Sequence, residues 1–274
     1  MKKILIPTDF SENSYKAIDY ILELFKNEVC VFYFLNVYNY GTHGLSAIEM
    51  LQADDEWFEK PKENSLKQLG DLLEEYTVNR NDAKHEYHVI SESLSLVKAL
   101  EKHTKKLNID LIVLEGNTKV NKNIETVVGE MRTCPVLIVP RNVFFNIGIN
   151  LTIASDFMDS VRTIEIDNFL KTFKNTSLKV SILVLGDQSA FTDEVNRNMM
   201  LLFNHLEYGL GVSVKVEFAE QSSNLKAYAA SHFNNIMCVV DNKPGILRKF
   251  GIYKSKVIST IEKFHNHPVL TIHQ

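Results

Sequence analysis

The chain has 274 residues, 45% of them hydrophobic and 23% charged, with a formal net charge of -4. That length and composition suit a soluble globular protein of two ordinary domains, each able to bury its own core. The near-neutral balance, with no Lys/Arg-rich run, argues against a large nucleic-acid footprint. No stretch of about 18 apolar residues reads as a membrane span.

In chain order, residues 3–8 read as a strand, closing on Asp9. Its apolar run is too short for a signal peptide, and Asp9 interrupts it. Ser11 is placed to cap a helix in which Tyr15, Ile18, Ile21, Leu22 and Phe25 recur at helical spacing. A second strand covers 29–37. Residues 39–58 read as an irregular segment, with Gly41, Gly44 and a Trp57-Phe58 pair tucked against its own domain. Leu66, Leu69, Leu72, Leu73 and Tyr76 mark a second helix. Then follow a strand at 84–90, a helix at 93–107, a strand at 110–115, a helix at 122–133 and a last strand at 135–140.

The order then repeats. Asn150-Leu151-Thr152-Ile153-Ala154-Ser155-Asp156-Phe157 restates Lys3-Ile4-Leu5-Ile6-Pro7-Thr8-Asp9-Phe10, and His267-Pro268-Val269-Leu270 restates Cys134-Pro135-Val136-Leu137. Strands are expected near 149–155, 178–185, 212–218, 235–240 and 268–273, and helices near 159–173, 191–207, 222–232 and 254–265. A period this long means two copies of one domain, 1–141 and 148–274, rather than a solenoid. Alternating strands and helices imply an α/β fold, two doubly wound parallel sheets with helices on both faces.

The third strands alternate apolar and polar residues (Val212, Val214 and Val216 against Ser213, Lys215 and Glu217), as at a sheet edge. Val136 to Val139 is apolar throughout, so it needs a cover. The matching strand of the other half supplies the simplest one, and the halves are expected to pack about a pseudo-twofold axis through their last strands. The linker between them, with Val143, Phe144, Phe145 and Ile147, reads as docked. Cys30, Cys134 and Cys238 are far apart and form no CxxC. They fit buried thiols in a reducing cytoplasm.

The phrases Pro7-Thr8-Asp9-Phe10-Ser11, Asp110-Leu111-Ile112-Val113 and Cys134 to Val139 resemble the universal stress protein family, with Ile153 to Phe157 and His267 to Ile272 carrying the likeness into the second half. The resemblance implies five-stranded parallel sheets of order 3-2-1-4-5, of the adenine nucleotide alpha hydrolase type, and pairing through the fifth strands. It also implies that Asp9 and Asp156 lie beside a nucleotide, and that the backbone at Val37 meets adenine. Without a ligand, a strand-end Asp orders the turn and caps the first helix, and that is the weightier reading.

ATP-binding members carry a Gly-x2-Gly-x9-Gly-Ser/Thr loop after the fourth strand, where backbone N–H groups and a helix N-terminus hold phosphates. Here Gly116 and Asn117 are followed by Lys119 where a second Gly is expected. Gly129 has the right count but falls deep in the last helix, and an aligned Glu130 would repel phosphate. Gly116 to Pro135 spans 19 residues, whereas Asp241 to Pro268 spans 27, so the first loop is shortened and its Gly-Ser element replaced near Lys122-Asn123. In the second half Asp241 stands in place of Gly and Pro244 removes a donor. Asn242, Lys243, Gly245, Ser255 and Lys256 are left as candidates to hold an anion in another manner.

His265-Asn266-His267 reads as a surface turn rather than a metal site, and His85 and His88 point to opposite faces of their strand. No catalytic signature rises above chance. The expectation is a non-enzymatic cytoplasmic stress-response or regulatory binding protein, with degenerate ATP-binding loops and no resident cofactor. Its partners would be a small anionic ligand or a protein, but neither nucleic acid nor membrane. It is an internal pseudo-dimer with a lean toward a homodimer. The alternative is an adenine-nucleotide (ATP or AMP) binding protein with weak ATPase activity.

Overall fold

The computed structural model describes residues 1–40, 55–79, 84–116, 122–143, 148–173, 176–220, 222–241, 261, 264 and 266–274. The first half runs β1 (Lys2–Pro7), α1 (Glu12–Leu24), β2 (Cys30–Val37), α2 (Asp55–Glu74), β3 (Glu86–Glu92), α3 (Leu96–Leu107), β4 (Leu111–Gly116), α4 (Lys122–Glu130), β5 (Val136–Pro140). The second runs β6 (Ile149–Ser155), α5 (Ile164–Leu170), β7 (Leu178–Leu185), α6 (Asp193–Asn204), β8 (Val214–Ala219), α7 (Ser222–Ser231), β9 (Ile236–Asp241), β10 (Val269–His273).

The ten strands of the described residues form one sheet, in the order β3-β2-β1-β4-β5-β10-β9-β6-β7-β8. Each half is parallel with strand order 3-2-1-4-5, and the third strands lie at the two edges, as their alternating texture requires. The only antiparallel step among the described residues is β5 against β10, with Val269 opposite Ile138, Leu270 opposite Leu137 and Thr271 opposite Val136. Leu137 and Leu270 each lie two residues after the proline of the repeated phrase, so the pseudo-twofold axis passes through that pair. Every residue of β5 and β10 is buried. Burying an aliphatic side chain contributes about 1.5–3 kcal/mol, which explains why these strands can be apolar on both faces.

The pleat sorts the core. Ile4 and Ile6 of β1 face one side, packing with Ile18 and Ile21 of α1 and Leu69 and Leu72 of α2. Leu5 faces the other, with Leu100 of α3 and Val127 and Val128 of α4. Both layers run through the seam into the second half, and Phe25 meets Phe173 across it at 4.9 Å between ring centroids. Cys30, Cys134 and Cys238 are buried free thiols. Burial pushes Cys30 up to about 12, so it does not ionise at neutral pH.

Three expectations change. Helix α2 already begins at Asp55, so Trp57 and Phe58 lie in its first turns and not in an irregular segment. Helix α5 begins only at Ile164. The preceding chain is instead tied to the C-terminus, where the Arg162 N–H donates to Gln274 Oε1 at 3.1 Å. His267 is not in a surface turn: it is 4% exposed, and its Nε2 lies 2.9 Å from the Ala229 carbonyl. Phe144, Phe145, Ile147 and most of the expected last helix lie outside the described residues, whereas Val143 packs on the core.

An ion pair crosses the seam. Arg132, just beyond α4, donates from one guanidinium nitrogen to Asp241 Oδ2 at 2.6 Å and from the other to the Asp241 carbonyl at 2.8 Å. Asp241 is fully buried. Removing one partner of such a pair costs about 3–5 kcal/mol, because a desolvated charge loses its counter-charge. Arg132→Met should therefore lower the stability measured by chemical denaturation by about 3 kcal/mol. Adding Asp241→Asn to it should recover part of that loss.

Candidate binding cleft

The repeated Asp-Phe phrase forms the same turn twice. Phe10 and Phe157 hold φ of 62° and 52°, a region that bulky residues seldom adopt. Local hydrogen bonds stabilise it. The Phe10 N–H donates to Thr8 Oγ1 at 3.0 Å and the Ser11 N–H to Asp9 Oδ1 at 2.9 Å. In the second half the Phe157 N–H donates to Ser155 Oγ at 3.1 Å and the Met158 N–H to Asp156 Oδ1 at 3.3 Å. Both aspartates thus order the turn, as a strand-end Asp does without any ligand.

Above this turn in the first half lies a cleft of about 160 Å³. Pro7 at the end of β1 with Thr8 and Asp9 just beyond it, Leu35 and Val37 from β2, and Leu114 and Glu115 from β4 line it, together with Leu96 of α3 and Asn123 and Ile124 of α4. It opens at the carboxyl ends of the strands, between elements that leave the sheet in different directions. Asp9, Val37 and Asn123, far apart in sequence, converge here.

Gly116 closes β4 beside the cleft, but its reason for being glycine is packing. A Cβ there would sit 3.0 Å from Ile138 Cγ2 and 3.0 Å from the Val139 carbonyl oxygen, both on β5. Helix α4 begins at Lys122, so Gly129 sits in its last turn, with open space where a Cβ would go. Asn117, Lys119, Asn242, Lys243, Gly245, Ser255 and Lys256 lie outside the described residues. Asp156 keeps the turn described above. Among the described residues no cluster of His, Cys, Asp and Glu is arranged to hold a metal ion, and no helix is long and apolar enough to cross a membrane.

Sequence reasoning missed Glu115. It ends an otherwise apolar strand, and a lone acid at that place is the signal that was available. The Ser11 hydroxyl donates to Glu115 Oε2 at 3.0 Å, while the Ser11 N–H donates to Asp9. One residue, which also caps α1 through its Oγ at 3.2 Å from the Ser14 nitrogen, therefore bridges two carboxylates. Burial pushes the Glu115 carboxyl up and the Asp9 charge adds to it, against the Ser11 hydrogen bond. Burial pushes Asp9 up as well. Hydrogen bonding to Ser11 and Ser14 outweighs that and holds it below its ordinary value. Asp9 is thus the settled anion of the two, and the cost of the second charge falls on Glu115.

A carboxyl raised on folding is ionised more easily in the unfolded chain. Glu115 therefore costs stability as pH rises from its ordinary value of 4.5 through its raised folded value. Glu115→Gln should raise the melting temperature near neutral pH and leave it unchanged at about pH 4, where both states carry the proton. Gly116→Ala should destabilise by about 1–3 kcal/mol at every pH, because β5 must move. Thermal scans across pH separate the two effects.

Residues 1–140 match the model of the universal stress protein family. Across 99% of this chain and 98% of the other, the structure is similar to a universal stress protein from Archaeoglobus fulgidus DSM 4304, with 18% identity and a TM-score of 0.68. A putative universal stress protein from Pseudomonas aeruginosa UCBPP-PA14 is similar at 11% identity and a TM-score of 0.58, over 100% of this chain and 93% of that one. The cytoplasmic domain of a prokaryotic cation chloride cotransporter is similar at 12% identity and a TM-score of 0.56, over 98% and 94%. No curated protein matches the sequence.

Proposed function

The chain belongs to the universal stress protein family, and from that premise we propose that it is a non-enzymatic, cytoplasmic regulatory binding protein of stress responses. Both halves descend from one such domain, and neither retains a working ATP loop. The ligand-binding part of the role resides in the cleft of the first half.

The observation that carries this reading is Glu115. A carboxylate beside Asp9, where a phosphate loop begins, repels a polyphosphate at short range in a partly desolvated site. The early start of α4 at Lys122 supports it, since little chain is left to wrap phosphates after Gly116. The absence of any catalytic sequence signature supports a binding role over turnover. The convergence of Asp9, Val37 and Asn123 in one cleft favours a second reading, an adenine-nucleotide binder with weak ATPase activity.

Denaturing freshly purified protein and identifying released small molecules by mass spectrometry, then titrating Mg-ATP calorimetrically into ligand-free protein, separates the two. The expected result is no adenine nucleotide and no ATP heat. A stoichiometric nucleotide lost on Asp9→Ala would favour the second reading.

A further inference from the structure

The cleft is lined by both apolar and acidic residues. Leu35, Val37, Leu96, Leu114 and Ile124 supply apolar surface, and Asp9 and Glu115, both hydrogen-bonded to Ser11, supply charge. Among the described residues neither carboxylate forms an ion pair: their hydrogen bonds come from Ser11 and Ser14, which are neutral. Among the described residues, the groups that hold the acids in place leave their charge uncompensated. The volume of about 160 Å³ is close to that of an engineered apolar cavity, about 150 Å³, that takes up benzene. An aromatic ring or a short aliphatic chain fits beside the apolar surface.

We propose that this cleft binds a small organic ammonium ion, with its apolar body against Leu35, Val37, Leu96, Leu114 and Ile124 and its N–H groups donating to Asp9 and Glu115. The proposal rests on the binding role given above and names the class of ligand. The cation supplies a charge that no described residue gives the two carboxylates, and its donors meet acceptors already oriented by Ser11. Ammonium–carboxylate hydrogen bonds are charge-assisted and are worth most where water is partly excluded. An anion meets repulsion at the same place, and a neutral isostere gains only the apolar surface.

The test uses the full chain and calorimetric titration near neutral pH with four probes: phenethylammonium, 2-phenylethanol, phenylacetate and Mg-ATP. The expected result is saturable binding of phenethylammonium, with 2-phenylethanol weaker by about tenfold or more and no heat from phenylacetate or Mg-ATP. Glu115→Gln and Asp9→Asn, close in shape to the residues they replace, should each weaken the ammonium by about tenfold without weakening the alcohol. Equal binding of alcohol and ammonium to the unaltered protein would overturn the ammonium assignment and leave the cleft as a site. Mg-ATP binding tighter than the ammonium would overturn the assignment in favour of a nucleotide, with magnesium bridging carboxylates and phosphates. Silence from all four probes would overturn both the ammonium assignment and the binding role of the cleft.

Discussion

The antiparallel pairing of β5 with β10 is the constraint on which the rest depends. A five-stranded doubly wound sheet ends in an edge, and here that edge is apolar on both faces. Left in water, it would offer unpaired backbone groups and a hydrophobic stripe to any passing chain. The second half of the chain supplies the matching strand from the same polypeptide, so the edge is covered at high effective concentration. The ten strands become one sheet whose remaining edges, β3 and β8, are the ones with polar residues.

That seam also places the two strand-end regions in each other's reach. Because β10 runs against β5, the carboxyl end of β9 comes beside the segment that enters β5. Arg132 of the first half consequently reaches Asp241, the position of the second half that corresponds to Gly116. The two equivalent positions are therefore unlike in their physics. Gly116 is small because β5 presses against it, while Asp241 is charged because a guanidinium from the other half meets it. The two halves share one frame, and each fills the same place differently.

The cleft shows the same division between scaffold and site. The Asp9 turn is mostly self-sufficient, built from Thr8, Asp9, Ser11 and Ser14 within one strand-to-helix connection. Its twin at Asp156 keeps the backbone form with Ser155 in place of Thr8. What distinguishes the first half is the long-range contact from Ser11 to Glu115, a carboxyl delivered by a strand about a hundred residues later. The turn serves the fold in both copies, and the acid pair of the first half is an addition to it.

Much of this was legible in the sequence. The two copies of the Asp-Phe phrase gave the repeat. Period-2 texture in the third strands marked them as edges and unbroken apolar runs in the fifth called for a cover, because a strand's burial on one face or two leaves its mark residue by residue, while the full strand order came through the family resemblance. Asp9, Val37 and Asn123 were reachable through resemblance. Glu115, the buried state of His267 and the Arg132–Asp241 pair were not, since each depends on a partner distant in the chain, and periodicity reports only which face a residue occupies. The sequence by itself thus determined the elements, their order and the need to cover β5. Only the tertiary structure decided which charges meet, because that is set by strand register and crossing direction, which bring residues together irrespective of their separation along the chain.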